Sequence, residues 1–320
     1  MILIRILLLN LRTIKPVFGM AELVKTKNVA LALSSGGARG LAHIGAIEEL
    51  EAQGYHISSI AGCSMGALIG GVYAAGKLSE FREWMKTIDR KKMLGLIDFS
   101  LSLNHIVKGT RIIEAIMEFV PDVNIEDLPI PYCAVATDWK AGREVMFRKG
   151  SLFQAIRASI SLPSFYEPVK LNDMILIDGG IINPLPLNRV KRHSGDILVG
   201  VDVSGHDYKA QWDELHRLTE MQKCDKSLKT KILDMLIPDN IEFNYYTVLS
   251  RASSLMIRQN SILMAQLTKP DILIDIQMNR YGTFDFDKSE KLISIGRQKT
   301  SQSISKYENF ACNMNKNYPI

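Results

Sequence analysis

Short apolar runs alternate with helix-like stretches along the first part of this chain. Asn28 to Leu33 and Ile57 to Ala61 are continuous apolar runs of strand length. A helix is predicted from about Leu41 to Gln53, closed by Gly54, and a second from about Met65 to Ala75, where Gly66, Gly70, Gly71 and Ala74 permit close packing. This strand–helix–strand–helix opening predicts an α/β fold, three-layer α/β/α with a mostly parallel central sheet.

Leu78 to Val120 reads as mainly helical, with blurred boundaries at Leu94 to Ile97 and Phe99 to Leu103, and is expected to cover the mouth of a site. Tyr132 to Ala136, Val145 to Phe147, Met174 to Ile177 and Ile197 to Val201 read as further strands, and Leu152 to Ser159 as a short helix entering a loop around Pro163. From Asp207 to Asn240 the pattern changes to charged, lysine-spaced helix, followed by a long helix over Ile241 to Leu267, a buried strand at Asp271 to Ile276 and a helix at Ser289 to Ser305. The expected organisation is an extension at 1–27, a core at 28–205, a helical insertion or cap at 206–268, and a C-terminal strand and helix at 269–320 completing the main sheet.

Composition narrows the class. Hydrophobic residues make up 47% of the 320, yet no run approaches the roughly 20 apolar residues of a membrane span. The cysteines (Cys63, Cys133, Cys224, Cys312) show neither metal-ligand spacing nor a paired framework, so a reducing cytoplasm is the expected compartment and Cys63 reads as a small buried filler. Much of the formal charge of +5 sits in the leader, where Arg5, Arg12, Lys15, Lys25 and Lys27 face only Glu22. Three readings of the leader stay open: a nonessential extension with Met20 as the start, a basic amphipathic anchor at a peripheral membrane surface, and a targeting signal.

The chemistry concentrates at Gly62-Cys63-Ser64-Met65-Gly66, a G-x-S-x-G sequence between a strand and a small-residue helix. A serine at such a turn projects its hydroxyl above the sheet, and flanking glycines relieve crowding, so Ser64 is a candidate nucleophile for acyl transfer. The rival is a simple helix-capping serine, which the strand-turn-helix context disfavours. Ser35-Gly36-Gly37-Ala38-Arg39-Gly40 follows the first strand, where backbone N–H groups at a helix start can converge on an anion. It lacks the Lys-Ser/Thr of a P-loop and a complete dinucleotide fingerprint. Arg39 is read either as support for the turn or as a contact for a lipid phosphate. Asp138, Asp178 and Asp202 all end strand candidates; Asp178 is preferred as base because Gly179 and Gly180 behind it allow close approach at the carboxyl edge of the sheet. Six histidines keep a Ser-His-Asp triad in view, but none sits in a distinctive late loop, and His43 reads as a packed or surface residue.

On these three ordered motifs the chain resembles the patatin-like phospholipase family, firmly over about residues 28 to 203 and more loosely through Pro270 to Ile295. The resemblance implies a patatin-like fold in which Ser64 attacks a fatty-acyl ester carbonyl, Asp178 takes its proton and later activates water, and N–H groups of Gly36, Gly37 and Ala38 stabilise the oxyanion. It implies a lipid or acyl-ester substrate for a phospholipase A, lysophospholipase or esterase, with no cofactor, metal or nucleic acid. Ser35 departs from the family pattern, which has glycine there. Two other outcomes stay open: an acyltransferase using the same dyad, and a noncatalytic regulatory protein that keeps the fold.

Overall fold

The computed structural model describes residues 27–96, 108–163, 165–205, 245–278 and 281–317. Residues 1–26 of the leader, Phe99 to Leu103 and the charged stretch from Asp207 to Asn240 lie outside the described residues, so the readings made for them are not addressed by the fold. Among the described residues eight strands form one sheet: β1 (Lys27–Leu33), β2 (Tyr55–Cys63), β3 (Tyr132–Asp138), β4 (Arg143–Phe147), β5 (Val169–Leu171), β6 (Met174–Asp178), β7 (Ile197–Gly205) and β8 (Ile272–Gln277). Their order is β5-β6-β3-β2-β1-β7-β8, with β4 also pairing β3. The ladders from β3 through β8 are parallel, whereas β4, β6 and β5 are antiparallel additions beside β3.

The helices are α1 (Ala42–Ala52), α2 (Met65–Ala74), α3 (Leu78–Lys86), α4 (Arg90–Leu96), α5 (Thr110–Met117), α6 (Leu152–Ser159), α7 (Tyr245–Thr268) and α8 (Ser289–Asn317). Strand alternation divides them between two faces. Val29, Leu31 and Leu33 of β1 join the main core with residues of α1, α2 and α8, while Ala30 and Ala32 pack with Leu185, Leu187 and, from α7, Met264 and Ala265. This is the three-layer α/β/α architecture. Among the described residues no helix is long and apolar enough to cross a membrane.

Helix α8 runs twelve residues past the end expected at Ser305. Its polar second half carries little periodic apolar signal, but Glu308 accepts a hydrogen bond from Tyr55 Oη at 3.1 Å and pairs with Lys27, tying the extra turns to the start of β1 and β2. The short strand β5 was not anticipated; Val169 to Leu171 pairs with β6 only after the chain has folded back through Asn172.

Candidate active site

The dyad geometry comes from the register on β3. Strand β2 runs parallel to β3 and ends with Cys63 opposite Val135, while β6 runs antiparallel and ends with Asp178 opposite the next residue, Ala136. Because β4 occupies positions 134 to 138 on one edge of β3, β2 and β6 must share the other edge, and their C-terminal ends meet there. Asp178 therefore reaches the elbow along an antiparallel strand. Ser64 Oγ donates to Asp178 Oδ2 at 2.6 Å, and both residues are buried.

The turn at Ser64 is strained, with φ 55° and ψ −121°, a positive-φ conformation that side chains other than glycine seldom adopt. Close backbone approach explains the flanking glycines: a Cβ on Gly62 would lie 2.3 Å from Gly66 O, and one on Gly66 would lie 2.3 Å from Leu33 O. Ser159, at the end of α6, completes the support. Its Oγ accepts from Ser64 N at 2.8 Å and donates to Val135 O at 2.6 Å, so the elbow is fastened to β3. Sequence reasoning missed Ser159, whose only signal is a small polar residue at a helix end.

Asp178 Oδ1 accepts from Gly180 N at 2.7 Å, with Cys63 Sγ at 3.9 Å. Burial is the main influence on this carboxyl and pushes its pKa up to about 6, against the hydrogen bonds from Ser64, Gly180 and Cys63 that favour the ionised form. Cys63 itself is pushed up by burial and then by Asp178, which keeps it a neutral thiol. The raised carboxyl pKa has a stability consequence. The folded chain holds this proton more tightly than the unfolded chain, so its contribution is fully present below pH about 4 and is lost as pH rises through about 6, amounting to about 3 kcal/mol. Asp178→Asn is therefore expected to stabilise the protein by about 1 to 3 kcal/mol at pH 8 and by little near pH 4. Urea unfolding at the two pH values measures this; equal effects at both would mean that Asp178 is not buried as an ionised group.

The glycine-rich loop lies beside the dyad, with Ser35, Gly36, Gly37 and Arg39 lining the same cavity as Ser64 and Asp178. Ser35, the departure from the family pattern, is accommodated by giving its N–H to Pro184 O at 2.8 Å and placing its side chain over Gly180. Ala38 differs from the expectation: its N–H donates to Thr283 O at 2.8 Å and is engaged within the protein. Gly36 and Gly37 thus remain the expected loop donors, and Met65 N–H, at the start of α2 directly after Ser64, is a further candidate that was not anticipated. Arg39 Nε donates to Gly36 O at 3.0 Å, supporting the turn, while the residue also faces the cavity. Burial lowers its pKa and Asp202 opposes that shift.

The other two strand-ending aspartates are engaged elsewhere. Asp138 accepts from Lys140 N in a turn, and Asp202 accepts from Ser204 N and Oγ and pairs with Arg258 of α7 at 2.9 Å. His43 is buried, its Nε2 lies 2.9 Å from Ser34 O, and burial drives its pKa down to about 4, so it is a neutral packing residue beneath the loop. Among the described residues no histidine hydrogen-bonds Ser64 or Asp178. The cavity has a volume of about 550 Å³. Its walls are largely apolar and include Leu68, Ile113 and Ile116 together with Met256 and Ile257 of α7.

Fold and site together define an α/β protein with a serine at a strand-to-helix elbow, a carboxylate within hydrogen-bonding distance and a glycine-rich loop alongside. The family model described as Patatin-like phospholipase matches residues 31–190, and the chain belongs to the patatin-like phospholipase family. Over 179 residues it is 48% identical to an uncharacterized NTE family protein of Mycobacterium tuberculosis, covering 56% of this chain and 50% of that protein. It is 26% identical over 287 residues to the human patatin-like phospholipase domain-containing protein 6, covering 87% of this chain and 20% of the other, and 30% identical over 195 residues to the neuropathy target esterase of Drosophila melanogaster, covering 59% and 14%. The chain spans about half the length of the first of these relatives.

Proposed function

We infer that the protein is a serine lipid acyl hydrolase acting on fatty-acyl esters of phospholipids or related lipids. The observation that carries this reading is the 2.6 Å hydrogen bond from Ser64 Oγ to Asp178 Oδ2 at the floor of an apolar cavity. In the proposed cycle Asp178 takes the serine proton as Oγ attacks the ester carbonyl. The tetrahedral oxyanion is held by the N–H groups of Gly36, Gly37 and Met65, with Ala38 a donor only if it leaves Thr283. Collapse expels the alcohol, which receives the proton from Asp178, and the same carboxylate then activates water to hydrolyse the acyl-enzyme. Arg39 is proposed to place its charge near a substrate phosphate while it holds the turn. Membership of a family whose human and fly relatives are called phospholipase and esterase supports the reading.

Incubation with a phospholipid and lysophospholipid panel, followed by product mass spectrometry with and without an acceptor alcohol, tests it. Free fatty acid as the main product supports hydrolysis, and acyl transfer to the alcohol in preference to water would make the protein a transferase. The pH profile adds a second test. Asp178 accepts a proton only when ionised, so kcat/KM on a short-chain ester is expected to fall about tenfold per pH unit below about 6 and to level off above about 7. A profile flat down to pH 4 would remove Asp178 as the base.

A further inference from the structure

A group of exposed apolar side chains surrounds the opening of the cavity and is not used by the dyad. Trp139, in the turn after β3, is 65% exposed; Phe284 is 44% exposed and Met256 52%, and all three line the cavity. Leu255, next to Met256 near the middle of α7, does not line the cavity but is also 52% exposed. Phe284 is braced by Phe165, the ring centroids lying 4.3 Å apart. These side chains come from three separate segments, so the collar is assembled by the fold and is invisible as a run in the sequence.

We propose that this collar is a membrane-docking face that seats the cavity mouth on the hydrocarbon boundary of a lipid bilayer. The proposal rests on the lipid hydrolase reading for its occupant. An acyl chain that passed through water on its way to the apolar cavity would expose every methylene, whereas a collar continuous with the cavity wall lets the chain move from one apolar medium to another. The charges near the collar also point to an apolar mode of attachment. Exposed Lys140 and Arg143 follow Trp139, and exposed Glu167 and Asp173 accompany them, so the two signs are mixed. Lys140 Nζ bonds Asp173 O at 2.9 Å, which ties the Trp139 turn to the loop between β5 and β6. An indole held on such a turn suits the boundary between headgroup and acyl chain.

The test uses the full chain carrying Ser64→Ala, so that lipid is not consumed, with phosphatidylcholine vesicles. Trp139 fluorescence is expected to be quenched by brominated acyl chains, and the quenching to disappear in Trp139→Phe while binding persists. Trp139→Ser with Phe284→Ser is expected to weaken cosedimentation by at least about tenfold, with binding little changed between about 0.05 and about 0.5 M salt. Unquenched Trp139, or a folded double variant that binds as before, overturns the proposal, as does binding that salt abolishes and that deletion of residues 1 to 19 removes. If the double variant fails to fold, the quenching measurement decides alone. Fluorophosphonate labelling of the unsubstituted chain is read separately. Loss of labelling with collar-dependent binding intact sinks the hydrolase reading and leaves the docking face standing; labelling with collar-independent binding does the reverse.

Discussion

Replacing Ser64 with alanine is expected to abolish covalent labelling by a fluorophosphonate and to cut turnover of a short-chain ester by at least about a thousandfold. Asp178→Asn keeps the volume of the carboxyl group but cannot accept the serine proton, so a loss of similar size is expected. The double variant should be little worse than either single one, because Ser64 Oγ and Asp178 Oδ2 form one hydrogen-bonded unit and removing either member disables it. Each histidine-to-alanine variant that folds should retain substantial turnover; His43 is buried and neutral against Ser34 O, and His193 is occupied with Asp196. A folded single-histidine variant as inactive as Ser64→Ala, together with an active Asp178→Asn, would replace the dyad with a triad.

Gly37→Val is expected to lower turnover by at least about 100-fold, the scale seen when one oxyanion donor is lost. Gly37 has φ +56°, which a branched side chain disfavours, and a Cβ there would lie 2.5 Å from Thr283 Cγ2 and 2.6 Å from Thr283 O. The backbone of the glycine loop would have to move, or Thr283 would be driven from its hydrogen bond with Ala38. Either change displaces the proposed oxyanion donors, which line the same cavity as Ser64. Steady-state kinetics and circular dichroism together check this; a variant with a native spectrum and near-native turnover would show that the glycine loop has another role.

The strand-turn-helix around Ser64 was legible because its causes are local. The apolar run, the small helix and the two glycines that let Leu33 O and Gly66 O approach all lie within or beside one motif. The preference for Asp178 over Asp138 and Asp202 was legible through the glycines that follow it, and in the structure Asp178 is the one of the three that bonds Ser64. Its route was not. A strand that ends in aspartate looks the same in sequence whether it runs with or against its neighbours. Only pairing with β3 decides that β6 is antiparallel and ends one register position beyond Cys63.

By itself, then, the sequence determined the alternation of elements, the elbow and its candidate base, because hydrophobic period and turn chemistry act over a few residues. Tertiary structure alone decided which partners arrive from far along the chain. Ser159 clasps the elbow nitrogen from α6, Thr283 takes the Ala38 N–H from a segment about 245 residues later, and Trp139, Met256 and Phe284 meet around one opening. None of these has a local pattern that announces it. A hydrogen bond or a cavity wall depends on distance in space, and strand register sets that distance only when the sheet has formed.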